Sequence, residues 1–168
     1  MTSQIRGLNQ AVRNANDGIS LAQTAEGGMN EIVNMMQRMR ELAVQSASGT
    51  LVAGDRTNLQ AEVTALLSQV NDVANKTTFN GVQLLNVPQT PAPAPTIAIQ
   101  TGVSSGDTVN IATANVTAAG LSIDTIDIST AAGAGTALTA LDTALNSITT
   151  AQANLGASQN RLQATVSS

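Results

Sequence analysis

The chain of 168 residues contains no histidine and no cysteine. Without histidine, no side chain has an ordinary pKa near neutrality, and without cysteine there is neither a thiolate nucleophile nor a disulfide framework. The commonest zinc ligands are missing for the same reason. The composition therefore argues against an enzyme and against a zinc-stabilised fold.

Aromatic side chains are nearly absent as well, since the sequence has one Phe, no Tyr and no Trp. Aromatic residues usually contribute the largest individual burials in a core or interface. A chain with 42% hydrophobic residues but almost no rings must bury area through many small aliphatic contacts. Long packed helices meet that requirement better than a compact globule does.

Charged residues make up only 11% of the chain, and the net charge is −4. An acidic chain whose few basic residues are interleaved with acids lacks the footprint of a nucleic-acid-binding protein. No apolar run approaches the roughly 20 residues of a membrane span, and residues 1–4 lead into a polar helical pattern instead of a signal peptide. A surface rich in amides and hydroxyls but poor in charge favours a protein that is covered by copies of itself.

Hydrophobic periodicity predicts a long first helix over residues 2–47. Apolar residues recur in alternating steps of three and four from Ile5 to Ala43, and a second stripe from Leu21 to Leu42 runs beside the first. Two adjacent stripes form a face broad enough to pack against two partners in a bundle. At about 1.5 Å per residue this helix would be roughly 65–70 Å long.

Two further helices are predicted. Gly49 is expected to end the first helix in a left-handed conformation, and a second, antiparallel helix over residues 55–76 is expected to begin at Asp55 or Thr57. After an Ala/Gly-rich spacer, the alternation of three and four returns over about 136–166 and predicts a third helix. The helices at the two ends of the chain are expected to pack on each other.

Residues 77–130 change to strand-forming and turn-forming patterns. Asn80-Gly81 lies between β-forming residues and is the strongest short signal for a hairpin turn. Four prolines from Pro88 to Pro95 predict an extended linker. Three stretches of alternating hydrophobicity predict short strands, at residues 96–99, 108–111 and 121–123.

The predicted fold class is therefore mainly α with a small β region, built as an elongated antiparallel helical bundle. Residues 1–86 are expected to form the N-terminal half of the helical core. Residues 87–130 are expected to form a Pro-rich linker and a small, variable β region. Residues 131–168 are expected to return as the C-terminal helix of the same core.

The few candidate catalytic groups have simpler explanations. Lys76 is the only lysine, and Asp72 lies four residues before it, which indicates a solvated ion pair. Asp124 and Asp127 could in principle act as a general acid and base, but their strand-like setting favours solvent-facing positions. The sequence also lacks a calcium loop and a glycine-rich phosphate loop. We therefore predict no catalytic residue, no metal and no cofactor.

Four segments carry a resemblance to a known family. Asn14–Gly27, Gln37–Ala47 and Thr78–Leu85 closely resemble the N-terminal core of bacterial flagellins, and Leu155–Leu162 resembles their C-terminal core helix. The similarity covers about residues 2–86 and 136–168 in the same order. It implies a structural subunit of the flagellar filament.

The resemblance also implies the partners and location of such a subunit. The implied partners are other flagellin subunits, the export apparatus and the filament cap. The implied location is the extracellular flagellum, to which the protein would be secreted. Flagellins carry further helical segments at both extremities and a variable outer region, whereas here that region can be no larger than about residues 87–130. We therefore expect a trimmed or partial chain that stays soluble and largely monomeric.

Flagellins of this type are recognised by the flagellin-sensing Toll-like receptor, and the matching positions here are Arg38, Leu42, Gln45 and Glu62. The first three stand at i, i+4 and i+7, hence on one helix face, with Leu42 at an apolar edge. The alternative is a solvated face with a weak Arg38–Glu41 ion pair. The predicted receptor or subunit interface comprises Gln37, Arg38, Arg40, Glu41, Leu42, Gln45 and Glu62.

Two competing functions use the same scaffold. A hook–filament junction protein shares the helical ends but keeps the segment Gln37–Ala47 poorly. A cell-surface binding protein would need its site within residues 87–130, where the sequence offers neither an aromatic platform nor a basic cleft for a glycan. Both features favour flagellin.

Overall fold

A computed structural model describes residues 1–167 as three helices and two antiparallel hairpins, which confirms the predicted fold class. In the sequence, the two hairpins come after the second helix and before the third. The elements in chain order are α1 (Thr2–Ser46), α2 (Ala53–Lys76), β1 (Thr78–Phe79), β2 (Val82–Gln83), β3 (Thr96–Gln100), β4 (Thr108–Ala112) and α3 (Ala131–Ser167).

The helices from the two ends of the chain pack on each other, as predicted. Near one end of the bundle, Arg40 of α1 bonds to Asp142 of α3. Toward the other end, the side chain of Leu162 reaches Gly18. Because the residue numbers rise along one helix as they fall along the other, α1 and α3 run antiparallel.

The two apolar stripes of α1 provide much of the core. Ile32, Met36 and Met39 are fully buried, together with Leu141 and Ile148 of α3. Ile5 and Leu8 continue the first stripe but are 57% and 53% exposed. Within residues 1–167, the neighbouring elements leave these two side chains largely uncovered, so periodicity alone overestimates the core there.

The two hairpins sit on the helices at different heights. Phe79 pairs with Val82 across the Asn80-Gly81 turn, which confirms the predicted hairpin. The longer hairpin pairs Thr96–Gln100 with Thr108–Ala112. Side chains from the irregular segment after it, including Ile123 and Ile128, are buried in the same core as the helices.

The start of α2 differs from the prediction. The helix begins at Ala53, after Val52, whose N–H donates to the Asp55 carboxylate at 3.3 Å. Asp55 therefore acts from inside the first turn and is not the N-cap residue. The Thr57 hydroxyl donates to the Ala53 carbonyl within the helix, so Thr57 is not the N-cap either.

The third helix begins at Ala131, five residues earlier than the pattern predicted. The Thr130 hydroxyl accepts the Gly133 N–H at 3.0 Å, which is the bond of an N-cap residue. The Ala/Gly-rich segment predicted as a spacer is therefore the first turn of α3. Glycine lowers helix propensity, but the cap and the tertiary contacts outweigh that cost.

Two further expectations were wrong. The predicted strand at 121–123 is a turn, in which the Ser122 and Ile123 N–H groups donate to Ala119 and Ala118 and Ser122 has a φ of 57°. This is the Schellman arrangement that ends a helical turn, and it buries alternate residues just as a strand would. Gly49 is not in a left-handed conformation, and Ala47, which caps the C-terminal end of α1, has right-handed angles.

Candidate interaction surface on helix α1

Most of the predicted interface residues lie on the outward face of α1. Around the helix circumference, Arg38 marks one edge of this face and Arg40 marks the other. At about 100° per residue, this face spans roughly 160° of the helix circumference. Its side chains are exposed or half-exposed. In angular order they are Arg40, Val44, Gln37, Glu41, Gln45 and Arg38. We call this set the α1 outer face.

Arg38 ties one edge of this face to the second helix. Its Nε donates to Glu62 Oε1 at 2.9 Å and its Nη2 to Glu62 Oε2 at 3.3 Å. Its Nη1 also donates to Glu41 Oε2 at 3.1 Å. The hydrogen bonds and charge of Glu62, followed by those of Glu41, raise the pKa of Arg38 above its ordinary value. All three side chains remain about half-exposed or more, so the cluster is available to a partner.

Arg40 ties the opposite edge to the third helix. Its Nε donates to Asp142 Oδ1 at 2.9 Å, and this contact raises the pKa of Arg40. The structure therefore brings Arg38, Glu41 and Glu62 together, whereas Arg40 points to the other side. Arg38 therefore links one edge of the α1 outer face to α2, and Arg40 links the other edge to α3.

The expected exposed apolar edge at Leu42 is wrong. Leu42 is 1% exposed and belongs to the core, since it follows the buried Met39 around the inward side of α1. The exposed apolar side chain is Val44, at 51%. It lines a shallow depression of about 290 Å³ together with Gln37, Arg40 and Glu41. The sequence held a signal for this, because Val44 lies outside both apolar stripes of α1.

The acidic residues considered for catalysis lie in irregular structure near the start of α3. Asp124 and Asp127 are exposed, and neither lies in a strand: Asp124 is in a turn and Asp127 is in an irregular stretch. The Ser129 hydroxyl, followed by the Ser129 N–H at 2.8 Å, lowers the pKa of Asp127. Asp127 is thereby held as a turn-stabilising carboxylate that accepts hydrogen bonds.

Residues 1–167 contain no group of three or more His, Cys, Asp or Glu side chains placed to hold a metal ion. None of their helices combines the length and the apolar character needed to cross a membrane. The described residues form a helical bundle with an exposed polar face on α1.

Comparison with known proteins identifies the family. The model of the bacterial flagellin N-terminal helical region matches residues 1–90. Flagellin of Salmonella typhimurium is 46% identical over 127 residues, which is 76% of this chain but 24% of that protein. Flagellin of Serratia marcescens is 42% identical over 129 residues, covering 77% of this chain and 35% of that protein. The chain belongs to the bacterial flagellin family, whose members are structural proteins and not enzymes.

Solved structures agree with this assignment. The crystal structure of Bacillus cereus flagellin superposes with a TM-score of 0.81 at 35% identity, covering 93% of this chain and 88% of that one. A putative flagellar hook-associated protein from Vibrio parahaemolyticus gives a TM-score of 0.75 at 14% identity, covering 96% and 84%. The second likeness concerns the fold alone. The chain spans about a quarter of the length of the Salmonella flagellins that it matches.

Proposed function

We propose that the chain forms the helical core of a flagellar filament subunit, which assembles with other copies in the extracellular flagellum. The observation that carries the proposal is the family match over residues 1–90, which contain α1, α2 and the first hairpin. As a subunit of this kind it would pass through the flagellar export apparatus and meet the filament cap. Residues 87–130 would stand where other flagellins carry their variable outer region.

The surface of α3 supports assembly. Asp142 and Arg161 are its only charged side chains, and its other exposed positions are mainly Ala, Ser, Thr, Asn and Gln. Interface cores are depleted in charge because a buried charge must be desolvated. The outward side of α3 therefore suits contact with neighbouring subunits better than permanent exposure to water.

A chimera tests this proposal. This chain would replace the bundle core of Salmonella typhimurium flagellin, with the flanking parts of that protein retained. We expect filaments by electron microscopy, because the grafted core supplies the helical surfaces that neighbouring subunits contact. The same chimera with Ile32→Asp should form none, since it buries a charge at a fully buried position. A chimera that is helical by circular dichroism but remains monomeric under assembling conditions would contradict the proposal.

We further propose that the α1 outer face, together with Glu62, is recognised by the flagellin-sensing Toll-like receptor of a host. In support, Arg38 is exposed and pre-oriented by two carboxylates, and the exposed Val44 lies on the same outer face. Arg is among the residues that most often dominate binding energy at interfaces. Leu42 is buried and would support this surface from below without touching the receptor.

Arg38→Ala is expected to weaken receptor-reporter activation by about tenfold or more, the effect of losing one strong contact. The matched control is Arg13→Ala, which removes an exposed arginine of the same helix whose side chain, within residues 1–167, bonds only to the Gln10 side chain. Both variants should keep the parent's helical circular dichroism. Equal activation by the two variants would show that Arg38 is not part of the recognised surface.

A further inference from the structure

We propose that Asn80 is a site of spontaneous deamidation, in which the chain's own Gly81 backbone nitrogen is the nucleophile and water is the only co-reactant. Asn80 and Gly81 form the two-residue turn between β1 and β2, with φ angles of 50° and 78°. Both residues are exposed, and among the described residues, apart from the two chain neighbours Asn80 and Val82, none has a heavy atom within 4 Å of the position that a Gly81 Cβ would occupy. Gly81 has no side chain to hinder attack by its nitrogen, and residues outside the turn leave the space beside it open.

Neither reacting group is occupied by another contact. Within residues 1–167, the Gly81 N–H donates no hydrogen bond, and the Asn80 side chain makes none. In a two-residue hairpin turn, the ladder bonds belong to the flanking pair, which is Phe79 and Val82. The turn thus leaves the nucleophile and the amide carbon free beside each other.

Every other asparagine lacks at least one of these conditions. Most lie inside α1, α2 or α3, where the N–H that follows donates to the carbonyl four residues earlier. The rest precede a β-branched residue, which hinders attack, and two of these N–H groups are also bonded. Val87 N donates to Ala114 O at 3.0 Å and Val116 N to Leu85 O at 2.9 Å. Asn80 is the only asparagine followed by glycine.

The reaction balances with water alone. The Gly81 nitrogen loses its proton and forms a bond to Asn80 Cγ, and the side-chain nitrogen leaves as ammonia, which closes a five-membered succinimide. Water then adds to one of the two ring carbonyls and opens the ring. Opening at one carbonyl leaves an aspartate, whereas opening at the other leaves an isoaspartyl linkage, in which the main chain runs through the former side chain.

The two products have different effects on the hairpin. Aspartate adds a negative charge at an exposed position and keeps the backbone unchanged. The isoaspartyl linkage adds a methylene group to the main chain, which a two-residue turn cannot accommodate without losing its register. The side chain of Gln83, the second residue of β2, accepts the Leu84 and Leu85 N–H groups and donates to Asn75 O. The isoaspartyl form should therefore loosen the attachment of β2 to the end of α2.

The experiment ages the purified chain at physiological temperature and mildly alkaline pH, with peptide mapping by mass spectrometry and labelling by an isoaspartyl methyltransferase. We expect Asn80 to convert at least about tenfold faster than any other asparagine in the folded chain, a difference of about 1.4 kcal/mol in activation free energy. Hydrogen exchange should show the aged chain losing protection around the β1–β2 hairpin, whereas all three helices keep theirs.

A freshly prepared Asn80→Asp variant serves as the matched control, because it carries the product's charge on an unaltered backbone. It should keep the hairpin protected, which assigns the loosening to the isoaspartyl linkage. A rate advantage below tenfold would overturn the proposal. So would rapid conversion in urea but not in the folded chain, because the turn would then protect Asn80 instead of exposing it.

Discussion

Replacing Gly28 with Ala is expected to lower the free energy of unfolding by about 1–3 kcal/mol, although Ala is ordinarily the better helix former. A Cβ at position 28 would lie 2.6 Å from Thr77 Oγ1 and 2.7 Å from Leu85 Cδ1. Neither neighbour moves freely, because the Thr77 hydroxyl donates to Val73 O and Leu85 is fully buried. The added methyl group must therefore displace the junction where α2 ends against α1.

The adjacent Gly27 provides the matched control. It is exposed, and among the described residues nothing beyond its chain neighbours and the adjacent backbone of α1 lies within 4 Å of its added Cβ. Gly27→Ala should therefore raise the free energy of unfolding by roughly 0.5–1 kcal/mol, the ordinary gain in helix propensity. Urea unfolding of both variants, followed by circular dichroism, measures the two effects. Stabilisation by both substitutions would mean that α1 and α2 are not packed as closely as the structure shows.

Truncating Ile32 to Ala should cost about 2–5 kcal/mol, the range for deleting a fully buried aliphatic side chain. Ile32 lies in the second apolar stripe of α1 and is fully buried in the shared core. The loss is a large part of the roughly 5–15 kcal/mol that stabilises a typical domain. Thermal and urea unfolding should both shift to milder conditions.

Ile5→Ala removes the same atoms from a site that is 57% exposed. It should change the free energy of unfolding by no more than about 0.5 kcal/mol, as surface substitutions usually do. Both isoleucines belong to apolar stripes of α1 that look alike in the sequence. Comparing the two variants therefore shows whether stability depends on burial or on the apolar pattern alone. Similar costs at both positions would show that the exposed end of α1 is packed against something in solution.

Much of this architecture follows from local patterns. The alternation of three and four predicted α1, α2 and α3, because each helix keeps one apolar face toward the bundle. Asn80-Gly81 predicted the first hairpin, since few residue pairs accept positive φ at both turn positions. The lack of histidine and cysteine argued against most chemistry, and four short segments pointed to the flagellin family. All of these signals depend on residues that are close together in the chain.

Other features depend on residues far apart in the chain. Ile5 and Ile32 both belong to the apolar stripes of α1, but the packing of the other elements buries Ile32 and leaves Ile5 exposed. Gly27 and Gly28 look equivalent in the sequence, but the fold places Thr77 and Leu85 beside Gly28 and not beside Gly27. The turn at 121–123 was predicted as a strand because alternate residues are buried in both a strand and this turn, so the hydrophobic pattern does not distinguish the two backbone conformations. The sequence by itself determined the three helices, the first hairpin and the family. The tertiary structure decided which face of each helix or strand is covered. Local patterns do not identify the packing partner that covers a face.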